Sequence, residues 1–594
     1  MIGPSTRTLL TSALAPPEGM RLAHAVGTTY SLDPTTFLEV PLTLALQGMR
    51  PDQVMDPVLL LHGIQSTSQR IQMFLHCGRM QVSRREHALY GLLEPMLSEI
   101  ALPERCSFHP KFWVLRFESL DGTESPAIRL IVTSRNLTQD RSWDLLLHMD
   151  GQVTGRNKPV NHELADLIRD LPGMAKVPPV ESKQAWILEL AEDLRRTEWE
   201  APTNTELQGI YVLRDGKGWL PTQGQDSIAV MSPFVDKDAL AALGERADAF
   251  SILISRSESL DGLPPSVLEE IVGVHTLTEM AETEDGEDEG TPDSSGLHAK
   301  AYLMKRGWNS TLVMGSANAT RRALIDGRNV EVLVELTGKY SKVGTPESWA
   351  ESLKEVLVPW TPSDSEPISS EEKAAQALLE EVRDWLVANT PSVRCIQVDA
   401  GWKLELSGTS TWRGSGLASL STWPLSVGED FRKDAMALLE GERIELGPID
   451  LSSVTGLMAF EVDASGGGRP KIRFALNLPL ENPPQGREGA VLALILRNRE
   501  GFMRYLMSVL AEPDDPYLAS LLQTGESMRW GAPKGVEPPI LETLLKALQR
   551  DRKTVSDRIS RVLASLDPKD RHDILPEGFE ELWKELEAAC REGR

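Results

Sequence analysis

Two histidines in this sequence are each followed at the second position by lysine, and both pairs have the same partners further along the chain. No other histidine among the ten has a lysine at that spacing. A Ser-x-Asn triplet follows each pair one predicted strand later. The two sets are His109-Pro-Lys111 with Ser134-Arg-Asn136, and His298-Ala-Lys300 with Ser316-Ala-Asn318. A single His-x-Lys pair would carry little information, but the repeated arrangement predicts one active site built from both copies.

These residue types suit the cleavage of a phosphodiester. Both pairs stand at the start of a predicted strand, where a spacing of two residues places histidine and lysine on the same face. Two lysines and two asparagine amides supply fixed donors for the phosphate oxygens while charge develops on them. One histidine can attack phosphorus and form a phosphohistidine. The other can protonate the leaving oxygen and then activate water. Neither segment has an Asp/Glu cluster suited to magnesium, so we expect no metal and no cofactor.

The elements around these motifs also repeat. Each motif reads as strand, turn, strand, tight loop and strand, because apolar and β-branched runs end in small residues. We predict buried strands upstream at 58–63, 226–234 and 250–256, and helices at 69–80, 87–100 and 236–248. An amphipathic helix at 181–199 is predicted to join the halves. Alternating strands and helices indicate an α/β fold with a central sheet in each half.

This pairing resembles the phospholipase D superfamily, whose members carry duplicated His-x-Lys motifs with a downstream Ser-x-Asn. The resemblance covers roughly residues 25–340 and implies a pseudo-twofold α/β/α sandwich made of two repeats. The common pattern has Asp five residues after each lysine, but Arg116 and Lys305 stand there. In this respect the chain is similar to the tyrosyl-DNA phosphodiesterase branch. The departure weakens the case for a phospholipid substrate more than the case for phosphodiester chemistry.

The resemblance also implies roles for individual residues. An acidic residue further along orients the catalytic histidine of the opposite repeat; Glu331 fits that place, and Asp144 is the candidate in the first repeat. A carboxylate on the far ring nitrogen would fix the tautomer of the histidine. By resemblance His109 is the nucleophile and His298 the acid, although the residues alone leave that order open. Ser134 and Ser316 are assigned to substrate binding.

Length and composition divide the chain and limit its function. A chain of 594 residues is too long for one core. We predict a first repeat at 1–180, a second at 181–345, a linker at 346–370 and a C-terminal α+β accessory region at 371–594. Four scattered cysteines fit a reducing cytoplasm, and neither a signal peptide nor an apolar run of about 18–20 residues is evident.

Charge bears on the substrate. The formal net charge of −25 gives little long-range attraction for a polyanion, so a nucleic acid would need a local basic groove or a basic partner. Arg135, Arg321 and Arg322 flank the asparagine loops and are candidates for such a groove, or are simply solvated. An acidic segment at 279–295 reads either as a solvated insertion or as a gate over a phosphate-binding groove.

The leading hypothesis is a cytoplasmic nuclease, acting on DNA rather than RNA and serving in bacterial phage defence. The alternatives are a phospholipid hydrolase or phosphatidyltransferase, and a nucleic-acid-binding scaffold subunit of a larger complex. The C-terminal region is a candidate for binding a protein partner, and a homodimer is also considered. The surroundings of the two histidines discriminate among these functions: a basic groove favours nucleic acid, an apolar rim lipid, and an acid-lined pocket autoinhibition.

Overall fold

The computed structural model describes residues 9–45, 57–83, 86–120, 122–139, 141–278, 295–362, 369–464, 471–510 and 540–592. The acidic segment predicted at 279–295 therefore lies outside the described residues except at its last position. Within these ranges, no helix is both long enough and apolar enough to cross a membrane.

A seven-stranded sheet carries the first motif. Its strands, in chain order, are β1 (Met20–Thr29), β2 (Ile71–His76), β3 (Leu97–Ile100), β4 (Phe112–Ser119), β5 (Ala127–Thr133), β7 (Leu146–Val153) and β8 (Thr197–Trp199), with the short β6 (Arg141–Trp143) outside the sheet. The spatial order is β3-β2-β1-β4-β5-β7-β8. Strands β1, β2 and β3 run parallel, and the pairs from β1–β4 onward are antiparallel.

An eight-stranded sheet carries the second motif. Its strands are β9 (Glu206–Leu213), β10 (Ser227–Met231), β11 (Phe250–Ile254), β12 (Ile271–Leu277), β14 (Ala301–Arg306), β15 (Asn309–Gly315), β16 (Glu331–Lys339) and β17 (Leu357–Pro359), with the short β13 (Ser295–Leu297) paired to β6. The spatial order is β17-β12-β11-β10-β14-β15-β16-β9.

Six strands of each sheet match in order and direction. In both sheets three parallel strands are followed by three antiparallel ones, so β1, β4, β5 and β7 correspond to β10, β14, β15 and β16. One apolar cluster contains side chains of both sheets, including Val114 and Ile128 from the first and Leu303 and Val332 from the second. The predicted α/β class is confirmed, and the two repeats share a core.

Helices pack on the outer faces of the sheets and also join the shared core. They are α1 (Leu10–Leu14), α2 (Pro34–Ala45), α3 (Pro57–Thr67), α4 (Tyr90–Leu93), α5 (His162–Met174), α6 (Glu181–Arg195), α7 (Lys237–Gly244), α8 (Ser257–Asp261), α9 (Pro265–Leu268), α10 (Tyr340–Val343) and α11 (Pro346–Ser352). Helices α2 and α3 pack on the first sheet opposite the shared core, and α7 packs likewise on the second. Helix α6 lies where the sequence predicts the connecting helix.

Several local predictions are wrong. Residues 58–63, predicted as a strand, belong to helix α3, while 69–80, predicted as a helix, contain strand β2. In 87–100 only α4 and a 3-10 turn (Glu94–Met96) are helical, and β3 follows. Short apolar runs have no reliable period, so the packing partner decides between helix and strand. The first part of the predicted linker at 346–370 is structured: it contains helix α11 and strand β17, and β17 pairs with β12 of the second sheet.

The C-terminal region is α+β, with two four-stranded sheets and a helical end. Its elements are α12 (Ser370–Ala388), β18 (Ser392–Val398), β19 (Gly401–Ser407), β20 (Leu417–Pro424), β21 (Lys433–Asp434), β22 (Arg443–Ile449), β23 (Leu457–Ala464), β24 (Lys471–Asn477), β25 (Leu480–Glu481), α13 (Arg487–Leu496), α14 (Arg499–Leu510), α15 (Ile540–Arg550), α16 (Arg552–Ser565), α17 (Pro568–Ile574) and α18 (Phe579–Glu592).

This region packs directly on the first repeat. The Glu94 carboxylate accepts hydrogen bonds from the Thr455 hydroxyl at 2.6 Å and from the Gly456 backbone N–H at 2.9 Å. The Ala475 backbone N–H donates to the Met80 carbonyl at 2.8 Å. Apolar side chains of α13 to α18 join the cluster on the outer face of the first sheet. The accessory region therefore shares a core with the repeat that carries the first motif.

Candidate active site

Each histidine is held in place by the backbone of the opposite repeat. The His109 backbone N–H donates to the Val330 carbonyl at 3.0 Å, and that of His298 donates to the Trp143 carbonyl at 2.8 Å. Parallel bridges join Phe108 to Val330 and Leu297 to Trp143. The two contacts are equivalent under the duplication, so the two motifs meet where the repeats cross.

The two lysines are buried, with 1% of Lys111 and 2% of Lys300 exposed. Lys111 Nζ lies 3.0 Å from His109 Nε2 and donates to the His109 carbonyl at 3.1 Å. Lys300 Nζ donates to the His298 carbonyl at 2.8 Å and, across the repeats, to the Ser134 carbonyl at 3.3 Å. Burial, with Lys300 nearby, lowers the pKa of Lys111 well below its usual value. Bound phosphate would compensate this concentrated positive charge.

Glu331 contacts the side chain of His109. Its carboxylate is fully buried, with Oε2 3.0 Å from His109 Nδ1. The Ser316 hydroxyl donates to the same oxygen at 2.5 Å, and Asn329 Nδ2 donates to Oε1 at 3.2 Å. A carboxylate at Nδ1 favours the tautomer with its proton on Nδ1. Nε2 is then the unprotonated nitrogen, and its lone pair accepts a hydrogen bond from Lys111 Nζ at 3.0 Å.

Burial keeps His109 neutral. It lowers the pKa of His109 to about 4, and the positive charges of Lys111 and Lys300 act in the same direction while Glu331 opposes them. An uncharged ring is the form that a nucleophilic mechanism needs. The structure thus provides a neutral His109 with a fixed tautomer.

His298 lies among cations. Burial, together with the positive charges of Lys300, Arg256, Lys111 and Arg135, lowers its pKa to about 2. Asp144 follows Trp143 as Glu331 follows Val330, so the structure places it at the position equivalent to Glu331. Asp144 is half-buried, whereas Glu331 is fully buried. The two halves of the site are thus alike in backbone but different in electrostatics.

The hydroxyls of the two serines in the Ser-x-Asn triplets bond to the backbone, and their contact with substrate stays a prediction. Both are fully buried. The Ser134 hydroxyl accepts from the Leu145 backbone N–H at 2.8 Å, and the Ser316 hydroxyl accepts from the Val332 backbone N–H at 3.0 Å. These bonds tie each asparagine loop to the following strand.

The two asparagines follow β5 and β15 and are half-buried. In the part of the chain that the structure describes, the buried side-chain oxygens of Asn136 and Asn318 have no hydrogen-bond partner. A buried polar group without a partner is costly, so it points to a ligand or to a function. Donation from the NH2 group of each amide to phosphate oxygens stays a prediction.

The three arginines that the sequence assigns to a groove divide into two kinds. Arg135 acts electrostatically on His298, and its Nη2 donates to the Thr138 carbonyl at 2.6 Å. Arg321 is exposed and forms ion pairs with Asp238 at 3.4 Å and Asp326 at 3.3 Å. Arg322 is exposed on the same short helical turn. The structure therefore joins Arg135 to the site and commits Arg321 to neighbouring carboxylates.

Sequence reasoning missed two residues that stand at equivalent places in the repeats. His76 ends β2 and accepts a hydrogen bond on Nδ1 from the Phe108 backbone N–H at 3.1 Å. Arg256 follows β11, and its Nε donates to the Leu297 carbonyl at 3.0 Å. Each residue supports the strand segment just before a catalytic histidine. Aligning the ends of β2 and β11 in the repeats would have identified them.

A further aromatic residue lies at the first histidine. The Tyr30 ring centroid is 5.0 Å from that of His109 and 5.3 Å from that of His76. Lys111 Nζ lies 5.9 Å from the same ring. Tyr30 follows β1, so the pairing of β1 with β4 brings it to the first motif. No sequence pattern marked it.

The immediate surroundings of the two histidines are basic, although the protein is acidic overall. A cleft of about 1780 Å³, which includes Asn136 and Asp144 in its lining, is acidic by contrast. It is lined by two cationic side chains, Arg135 and Lys342, and by five carboxylates: Glu39, Asp144, Asp150, Glu200 and Glu355. The described residues contain no group of three or more His, Cys, Asp or Glu side chains placed to hold a metal ion.

No protein-family model and no curated protein matches the sequence. Among solved structures the chain is similar to yeast tyrosyl-DNA phosphodiesterase, at 9% identity and a TM-score of 0.34 over 56% of this chain and 86% of that one. A mutant of that yeast enzyme, H432N_Glu, matches at 10% identity and the same TM-score over 57% and 86%.

It is also similar to polyphosphate kinase from Porphyromonas gingivalis, at 12% identity and a TM-score of 0.30 over 63% of this chain and 51% of that one. Values this low concern the fold alone, so the activities of those proteins are not carried over.

Proposed function

We propose that this chain is a metal-independent phosphodiesterase that cleaves DNA through a phosphohistidine intermediate. The observation that carries the proposal is the contact of 3.0 Å between His109 Nδ1 and the buried Glu331 carboxylate, made across the two repeats. It leaves Nε2 unprotonated, and the hydrogen bond that Lys111 Nζ donates to Nε2 at 3.0 Å passes to the phosphate when substrate binds. These are the requirements for nucleophilic attack on an anionic phosphodiester.

The first step forms a bond between His109 Nε2 and phosphorus and breaks the bond from phosphorus to the leaving oxygen. Lys111, Lys300 and the two asparagine amides hold the non-bridging oxygens while charge develops on them. Glu331 stabilises the positive charge that His109 gains. His298 gives its proton to the leaving oxygen.

The second step restores the protein. His298, now neutral, takes a proton from water, and the oxygen of that water attacks phosphorus. The bond from phosphorus to His109 Nε2 breaks, and the product leaves with a phosphate monoester. His298 must therefore carry a proton when the first step begins. Bound substrate would raise the pKa of His298 and so allow it to carry this proton, because the negative charge of the phosphate offsets the cations that lower that pKa in the free protein.

Nucleic acid is the proposed substrate because the groups at the histidines are cationic. Lys111, Lys300, Arg135 and Arg256 all act on His298. A basic site of this kind favours a polyanion, whereas a phospholipid would also need an apolar rim. A role in bacterial phage defence stays a prediction from the resemblance.

The test is digestion of labelled single- and double-stranded DNA in EDTA by the wild type and by His109→Ala, His298→Ala and His572→Ala. His572 is exposed on α17 and serves as the matched control. We expect cleavage by the wild type and the control, and loss in the other two variants. Cleavage that needs magnesium or survives both active-site substitutions would refute the proposal. Cleavage of phosphatidylcholine vesicles in place of DNA would move the substrate to lipid.

A further inference from the structure

A cluster of cations lies beside His109, and one of them comes from the C-terminal region. The Arg79 guanidinium carbon is 5.1 Å from the Tyr30 ring centroid, and that ring packs edge-on against His109. Arg383 belongs to helix α12 and acts electrostatically, together with Arg79, on His76. The described part of the accessory region thus reaches the surroundings of the catalytic histidine.

Arg383 is unusually buried for an arginine, with only 5% of it exposed. Its charged partners are the partly exposed Glu380, one helical turn away, and the exposed Asp384, whose Oδ1 lies 3.9 Å from Arg383 Nε. Arg79 Nη2 contacts the same Glu380 carboxylate oxygen at 2.9 Å. Buried arginines usually have a matching set of acceptors. Here two guanidinium groups share one carboxylate oxygen, and the buried Arg79 Nε has no hydrogen-bond partner among the described residues.

Anchoring of α12 to the first repeat is the simpler explanation for these contacts. It accounts for the ion pair between Arg79 and Glu380. It does not account for a second, buried arginine that shares the same carboxylate beside His76. Two guanidinium groups around one carboxylate oxygen form an arrangement that a phosphate can occupy, because phosphate offers more acceptors in the same place.

We propose that Arg79 and Arg383 form a second phosphate subsite, which binds the next phosphate of a nucleic-acid strand whose scissile phosphate lies at His109. The Glu380 carboxylate holds the two guanidinium groups in the absence of substrate and yields them when the strand binds. This inference rests on the proposed function and assigns a specificity role to the C-terminal region.

The surroundings of the site support this direction for the strand. The cleft that begins at Asn136 and Asp144 is lined by more carboxylates than cations, so it repels a polyanion. Neither arginine lines that cleft, and Arg79 reaches the site through the Tyr30 ring that contacts His109. A strand with several phosphates is therefore expected to extend from His109 toward Arg79 and Arg383 and away from the acidic cleft.

The test compares two substrates with one and two phosphates. The short one is the p-nitrophenyl ester of thymidine monophosphate, and the long one carries one further nucleotide on the side away from the ester. We expect Arg383→Gln and Arg79→Gln to lower kcat/KM for the long ester by about tenfold to hundredfold, the loss of charge-assisted hydrogen bonds. The short ester should be cleaved as by the wild type. Arg443→Gln, an exposed ion-pair residue of the same region, is the control.

Glu380→Gln keeps both arginines and removes the competing charge, so we expect it to lower KM for the long ester only. Equal losses for both esters in the arginine variants, or no loss for either, would overturn the subsite. If the wild type cleaves neither ester, the proposed function fails but the subsite is still tested. In a His109→Ala background, Arg383→Gln should then weaken binding of labelled tetrathymidylate at least tenfold, and unchanged binding would refute the subsite.

Discussion

Replacing Glu331 with glutamine tests the role of the buried carboxylate most sharply. Glutamine keeps the size of the side chain, and its oxygen can still accept the hydrogen bond from the Ser316 hydroxyl, so the loop after β15 should keep its structure. The substitution removes the negative charge 3.0 Å from His109 Nδ1. It also removes the interaction that raises the pKa of His109, whereas burial, Lys111 and Lys300 all lower that pKa.

The magnitude follows from the type of contact. A buried hydrogen bond to a charged group contributes about 1.5–3 kcal/mol, which corresponds to a fall in kcat of about tenfold to hundredfold. The loss should appear in kcat more than in KM, because His109 becomes positive only as its bond to phosphorus forms. We expect the melting temperature to fall as well, because the buried cations beside His109 lose the charge that partly neutralises them, so the kinetics are measured well below it.

The assay pairs kinetics with nitrogen NMR of the histidine rings. In the wild type, the His109 ring should show its proton on Nδ1, and Glu331→Gln should give a mixture of tautomers. Glu335→Gln is the matched control, because Glu335 lies on the same strand and accepts from the Tyr211 hydroxyl at 2.8 Å. If Glu331→Gln left kcat and the tautomer as they are in the wild type and in the control, Glu331 would have no part in positioning the nucleophile.

Three further outcomes are expected. Binding of the phosphate mimic vanadate at pH 7 should take up close to one proton, because the anion raises the pKa of His298 from about 2. Calorimetry in buffers of different ionisation enthalpy measures the number of protons taken up. If no proton were taken up, His298 would not be the general acid. Burial lowers the pKa of His62 to about 3, whereas a histidine in the unfolded chain has a pKa near 6.5. The neutral ring therefore contributes its full stabilisation above pH 6.5, and this contribution is lost as the pH falls from 6.5 toward 3. In His62→Gln, Tm should therefore fall less between pH 6.5 and 5 than in the wild type, whereas in His148→Gln, at an exposed position, it should fall as in the wild type. The same slope of Tm against pH in both variants would contradict this role of His62. Lys300→Met removes a buried charge, so it should raise Tm while activity falls at least about hundredfold. The control Lys305→Met should alter neither Tm nor activity. A lower Tm in Lys300→Met would show that the ammonium group stabilises the fold.

The duplicated motifs could be predicted from sequence because they use residue type and spacing alone. His-x-Lys at a strand start and Ser-x-Asn after the next strand describe local backbone geometry. The contact between Glu331 and His109 could not be predicted from spacing, because the two residues are in different repeats. Only the family resemblance suggested it. Asp144 was inferred in the same way, and the register of β6 with β13 now supports the equivalence.

The elements before the first motif show where sequence reasoning ends. The run at 58–63 is as apolar as a buried strand, but it packs as helix α3 against the outer face of the first sheet. Residues 71–76 form β2 because β1 offers an open parallel edge. These choices depend on what lies opposite in the folded protein, which a local pattern does not encode.

Arg383 is beyond sequence prediction for a related reason. It lies more than two hundred residues after the first motif, on a helix whose pattern is that of an ordinary amphipathic surface helix. Only the packing of the C-terminal region on the first repeat brings it near Tyr30 and His76. The charge of the site is likewise a property of the fold, because the chain as a whole is acidic.

The most direct test of the central claim is to identify the residue that becomes covalently modified. His298→Ala should attack the p-nitrophenyl ester of thymidine monophosphate, whose leaving group needs no acid, and should then be slow to hydrolyse the adduct. In EDTA, mass spectrometry after an alkaline quench should find one thymidylate group on the peptide that contains His109. Modification of any other residue, or full turnover without an adduct while the wild type is active, would contradict the two-histidine mechanism.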